Sequence, residues 1–128
     1  GGKRGHEGTD LMPPTNQRGF YPVFSATAGT VEHMGWLQKG GWRIGIRSKQ
    51  GGYFYYAHLS EYAPGMEEGK TVEAGEMLGY MGDSGYGEEG TVGQFAVHLH
   101  FGIYIQTADG REVSVDPYWI LKGLEGEP

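Results

Sequence analysis

Cysteine is absent from the 128 residues. That excludes disulfide staples, thiolate nucleophiles and cysteine-ligated zinc together, and it permits an exported location without requiring one. Basic charge is also scarce: ten Lys and Arg stand against sixteen Asp and Glu, a formal net charge of −6 with neutral histidine. An acidic chain without a basic run lacks the electrostatic footprint of a protein that binds nucleic acid or an anionic membrane surface. No stretch approaches the roughly 20 apolar residues of a membrane span, and no secretory signal pattern is present. The chain opens on Gly1-Gly2-Lys3-Arg4. It is expected to be one domain, 1–128, excised from a longer exported or membrane-anchored protein whose targeting segment lies upstream of Gly1.

Glycine is the opposite case, with 25 residues against 38% apolar and 20% charged content. The apolar share suffices for a core in a domain of this length. Glycine is costly inside helices, so its abundance argues for strands joined by tight turns. No three-residue glycine period exists, which excludes collagen.

The most regular segment runs from Gln94 to Gln106. Phe95, Val97, Leu99, Phe101, Ile103 and Ile105 alternate with Ala96, His98, His100, Gly102 and Tyr104, the period of a half-buried strand. His98 and His100 share its other face, with small neighbours that leave room. Asp109-Gly110 signals a hairpin turn into a return strand over Glu112 to Val115. Asp116-Pro117 reads as a helix start, with a short helical turn over Tyr118 to Leu121. Upstream, Trp42, Ile44 and Ile46 alternate with Arg43, Gly45 and Arg47, and Tyr53 to Leu59 resumes as an aromatic strand. Gly41 to Leu59 is therefore expected to be a hairpin, with Phe54, Tyr56 and His58 on one face. Val23–Phe24 and Gly29–Glu32 are shorter strands around a turn, and Leu78 to Met81 is another. Gly82 to Gly93, with five glycines and no periodicity, is expected to be a long mobile loop bordering a groove.

Five histidines carry the candidate chemistry. His6 and Asp10 are four apart, but Gly5 and Gly8 disfavour a helix and Asp10 sits where the zinc motif His-Glu-x-x-His needs its second histidine. The pair belongs either to a metal site or to a polar, glycine-rich terminus. His98-Leu99-His100 puts two imidazoles on one strand face, which fits either one small metal site or a solvated surface. His58 in Tyr55-Tyr56-Ala57-His58-Leu59 is either structural or part of that site. His33 reads as structural, and the tyrosines as packing residues with polar tips. Ser84 has no neighbouring base and no nucleophile-elbow pattern, so serine hydrolysis has little support.

Together, His6-x-x-x-Asp10, Tyr56-Ala57-His58-Leu59 and His98-Leu99-His100-Phe101 resemble the lysostaphin/LytM-type zinc metallopeptidases, from about Gly5 to Leu121. The glycine-punctuated turns from Pro64-Gly65 to Gly82-Asp83-Ser84-Gly85, and Val115-Asp116-Pro117, are also similar to that family. The resemblance implies an all-β fold, a single compact domain of antiparallel sheets with a central groove. It implies one Zn²⁺ held by His6, Asp10 and His100, with His98 and His58 as catalytic histidines, while His33 matches no motif. The activity implied is an endopeptidase that cleaves peptide bonds of bacterial peptidoglycan, in stem peptides or cross-bridges, with metal-activated water. Its partners would be peptidoglycan peptides, with no nucleic acid and no membrane insertion, and it would act as a monomer facing the cell wall. The connection from Tyr86 to Val97 is longer than the family's usual passage into its His-x-His. Two other classes stand beside this one. One is a catalytically silent relative serving as scaffold or activator of wall hydrolases, and the other is an unrelated all-β binding module.

Overall fold

A computed structural model describes residues 8–115 of the chain. Nine strands follow in order: β1 (Thr9–Leu11), β2 (Pro22–Phe24), β3 (Gly29–Leu37), β4 (Gly41–Ser48), β5 (Tyr53–Tyr62), β6 (Thr71–Val72), β7 (Met77–Met81), β8 (Leu99–Gln106) and β9 (Glu112–Val115). Among the described residues there is no helix, so the all-β expectation holds. The expected helical turn over Tyr118 to Leu121 lies outside the described residues.

All strands join one antiparallel sheet with the spine β1-β8-β5-β4-β3-β6, and β9 adds to β8. The expected hairpin forms β4 and β5, and the Asp109-Gly110 turn returns the chain from β8 into β9. β2 does not join β3 across the short turn between them; it pairs with β7, which in turn pairs with β5. β3 is longer than its Val31-centred apolar pattern suggests, because pairing along all of β4 carries it on to Leu37.

One face of the sheet is the core. Ile44, Ile46, Tyr56, Leu59, Leu99, Phe101 and Ile103 pack with Val23, Val31, Val72 and Leu78. Each such side chain contributes about 1.5–3 kcal/mol on burial, so the alternating apolar positions hold β8 flat on the core. Its even-numbered side chains are thereby presented to the opposite face. The strand begins later than its sequence period, at Leu99. His98 makes only an isolated bridge to Gly82, and Gln94 to Val97 stay outside the ladder.

β5 is divided along one edge. Tyr53 to Ala57 pair with β8, and Leu59 to Tyr62 pair with β7. Its register with β4 slips at the same place, from Ile44↔Tyr56 to Trp42↔Leu59. His58 sits at this joint with φ 66°. An extra residue inserted into one strand bends it and re-aims a side chain. The expectation that Phe54, Tyr56 and His58 share one face is therefore corrected. Tyr56 is core, whereas the bulge turns His58 to the groove side with Tyr55 and Ala57.

The expectation of a long mobile loop from Gly82 to Gly93 is likewise corrected, because hydrogen bonds tie the segment down. Ser84 bridges Val92, the Gly85 amide donates to the Thr91 carbonyl at 3.0 Å, and the Gly87 amide donates to the Gln38 carbonyl at 3.1 Å. Asp83 and Ser84 are buried, and Asp83 accepts from Arg18 Nε at 2.7 Å.

Candidate active site

Register brings the first residues together. Asp10 on β1 lies opposite His100 on β8, and His100 lies opposite Ala57 on β5. Directly opposite side chains share a face, so Asp10 and His100 meet in the groove, with Ala57 leaving space beside them. Asp10 Oδ1 is 2.9 Å from His100 Nδ1 and 3.7 Å from His98 Nε2. Gly8 backs this corner with φ 129°, and a Cβ there would come within 2.9 Å of His100 Nε2 and 2.7 Å of the Phe101 carbonyl. Only glycine lets the chain pass so close to the imidazole.

His58 enters from the bulge. Its amide donates to the Gly40 carbonyl at 2.8 Å, and its Nδ1–H donates to the buried Ser84 carbonyl at 2.7 Å. Ser84 is itself clamped, donating through Oγ to the Leu59 carbonyl at 2.7 Å and accepting from the Trp42 amide at 3.1 Å. The strained backbone of His58 is thus over-determined by bonds on both sides. His98 donates from Nδ1 to the Ala96 carbonyl at 2.9 Å. Both histidines therefore carry their proton on Nδ1 and keep the Nε2 lone pair for the groove. Burial holds the His58 imidazole below its ordinary pKa against the opposing pull of the Ser84 carbonyl, and the neighbouring His98 and His100 push it down further.

Aromatic rings wall the site. His58 lies 4.8 Å from His98, 4.6 Å from Phe95 and 6.1 Å from Tyr86, centroid to centroid. Tyr55 meets His100 edge-on at 6.3 Å. Tyr86 and His58 are the two non-glycine residues with positive φ among the described residues, and their rings are stacked, 21° from parallel.

The donor chemistry fits zinc, which takes imidazole nitrogen and carboxylate oxygen. Asp10 and His100 present one of each, turned toward one another. Among the described residues no group of three or more metal-binding side chains is assembled; the third expected donor, His6, lies outside them. His33 is apart from the site, exposed on β3 and hydrogen-bonded to the Tyr53 hydroxyl at 3.0 Å. Sequence reasoning missed Ser84, Gly8, Tyr86 and Phe95 as parts of the site. Their signals were slight, although Gly82-Asp83-Ser84-Gly85 did mark a built turn.

The chain is similar to known proteins over most of its length. Peptidase family M23 matches residues 4–117. An L-Ala–D-Glu endopeptidase of Bacillus subtilis is 47% identical over 126 residues, which are 98% of this chain and 37% of that protein. The chain thus spans little more than a third of that curated relative. Among solved structures, a lytM protein of Ruminococcus gnavus superposes with a TM-score of 0.89 at 60% identity, covering 98% of this chain and 49% of that one. The catalytic domain of the antimicrobial peptidase lysostaphin from Staphylococcus simulans superposes with a TM-score of 0.68 at 30% identity, covering 91% of this chain and 79% of that one.

Proposed function

The chain belongs to peptidase family M23, and from that membership we propose that it is a zinc-dependent endopeptidase acting on bacterial peptidoglycan, in stem peptides or cross-bridges. The observation that carries the reading is the meeting of Asp10, His58, His98 and His100, from three separated parts of the sequence, at one end of one groove. The Bacillus subtilis relative's name adds support, since a D-configured residue beside alanine is wall-peptide chemistry.

In this reading His6, Asp10 and His100 hold one zinc ion. Bound there, the ion supplies Lewis acidity that polarises a peptide carbonyl and eases deprotonation of water. The chain's own residues do the rest. His58 and His98, each with Nδ1–H fixed on a carbonyl, offer Nε2 to the groove. A neutral imidazole so placed would take the proton that water loses and return it to the leaving amine, and its partner, in its imidazolium form with a second proton on Nε2, would donate to the oxygen that gains charge. Burial lowers the His58 pKa, which favours the neutral imidazole able to accept a proton. Phe95 and Tyr86 shield the pair from bulk water on one side. The protein acts as a monomer outside the cell, facing the wall, on peptidoglycan peptides and without nucleic acid.

Dye release from labelled peptidoglycan, with and without a zinc chelator, tests this. Chelator-sensitive release is expected. No release from several wall types by zinc-loaded protein overturns it in favour of a silent scaffold.

A further inference from the structure

The groove continues well past the histidines. It encloses about 920 Å³ and runs from His58 and His100 along Tyr55 and Tyr53, with Arg43 and Lys39 on its wall. The tyrosines lie flat because β4 and the turn before it carry glycine beneath them: a Cβ on Gly45 would collide with the Tyr53 ring, and one on Gly40 would come within 2.6 Å of the Tyr55 hydroxyl. The two phenols are therefore fixed as a floor.

The charges on this wall run against the composition of the chain. The net charge is −6, yet among the described residues neither Arg43 nor Lys39 has a carboxylate partner. Arg47, by contrast, pairs with both Glu32 and Glu112, and Arg18 and Arg111 each have an aspartate. Glu112 also borders the groove, but it is engaged by Arg47 at 2.9 Å. The Arg43 guanidinium donates to one backbone acceptor, the Met34 carbonyl, which uses only part of its five-donor fork. Its positive field reaches both phenols of the floor. A half-buried arginine with spare donors beside fixed tyrosine hydroxyls matches the planar geometry of a carboxylate.

We propose that Arg43, assisted by Lys39, binds a carboxylate of the substrate, so that the groove selects an acidic peptide over an all-glycine one. The proposal rests on the peptidase reading. It makes Arg43 a specificity-determining residue; the bond is broken at the histidines, and Arg43 fixes which residue lies beyond it. A charge-assisted pair of this kind is worth about tenfold or more in discrimination.

The test compares three synthetic peptides: an Ala-Glu-Lys-Ala wall stem with the free α-carboxylate on its γ-linked D-glutamate, the same stem with that carboxylate amidated, and pentaglycine. Zinc-loaded wild-type protein is expected to cleave the carboxylate stem with kcat/KM about tenfold above the amidated stem, chiefly through KM, and this ratio should fall as salt is raised. Arg43→Gln should bring the ratio close to one, Arg43→Lys should restore part of it, and Arg111→Gln, on the distal hairpin, should leave it intact. Equal kcat/KM for the two stems in wild type, or faster cleavage of pentaglycine, overturns the proposal while leaving the peptidase reading standing. Cleavage of none of the three, with wall hydrolysis also absent, overturns the peptidase reading itself. Should Arg43→Gln fail to fold, the wild-type ratio and its salt dependence still decide.

Discussion

His58 and His98 face each other at 4.8 Å although one belongs to the bulge of β5 and the other to the bridge that precedes β8. Each spends its Nδ1 proton on a carbonyl, Ser84 for one and Ala96 for the other. Neither strand's regular alternation creates this pairing. It arises where both ladders are interrupted, so the proposed catalytic pair sits at a joint in the sheet that the core face does not dictate. His58→Ala should lower kcat by at least about a hundredfold while the zinc content of the protein stays at the wild-type level. Steady-state kinetics with metal analysis on the same sample check this.

Ser84 holds that joint closed. Ser84→Ala removes a hydroxyl that serves the Leu59 carbonyl and the Trp42 amide in a fully buried position. Two buried polar groups lose their partner, at a cost of about 1–3 kcal/mol. Urea denaturation should show the loss as a lowered midpoint with an unchanged slope. Activity of the folded fraction should fall as well, because the Ser84 carbonyl orients His58.

Gly85 cannot accept a side chain without moving the backbone beside His58. Its φ is 127°, and a Cβ would strike the Lys39 carbonyl and come within 3.2 Å of His58 Nδ1. Gly85→Ala is expected to lower Tm by about 4 °C or more and to reduce turnover beyond what the lost folded fraction explains. Gly90→Ala, also at positive φ but in open space, should cost stability without that extra loss of turnover.

Alkaline pH should loosen the fold through its tyrosines. Burial pushes Tyr53 and Tyr56 up to about 12, against an unfolded value of about 10. A raised folded-state pKa means that the folded chain holds the proton more tightly. This contribution is complete below pH 10 and is lost as pH rises from about 10 to 12. Stability measured across that window should fall, and phenolate absorbance should show a late-titrating class that disappears on unfolding.

The strands were largely legible from sequence because their signals are periodic. Leu99, Phe101 and Ile103 alternate with His100 and Gly102, and Trp42, Ile44 and Ile46 alternate with Arg43 and Gly45; the structure buries Leu99, Phe101, Ile103, Ile44 and Ile46 in the core and leaves His100 and Arg43 half-buried on the groove side. The place of His58 was not legible on that basis. A period of two assigns it to the face of Tyr56, and only a bulge, whose cause is the division of β5 between β8 and β7, moves it across. The segment of five glycines departs from the mobility its composition suggests for a related reason. Glycine content marks conformational freedom in isolation, but hydrogen bonds to Gln38 and within the loop, and the buried Ser84, remove it. Asp10 and His100 were named as a pair by resemblance, and their meeting follows from strand pairing across 90 residues of sequence, which no local pattern encodes.

Zinc content and turnover measured together in His98→Ala test the central claim most directly. The claim is that His98 works on the substrate's protons while His6, Asp10 and His100 hold the metal. The variant is expected to bind one zinc per chain, as wild type does, and to lose nearly all release of new amino termini from purified peptidoglycan. Near-normal release by His98→Ala, or loss of zinc from it, would contradict the assignment.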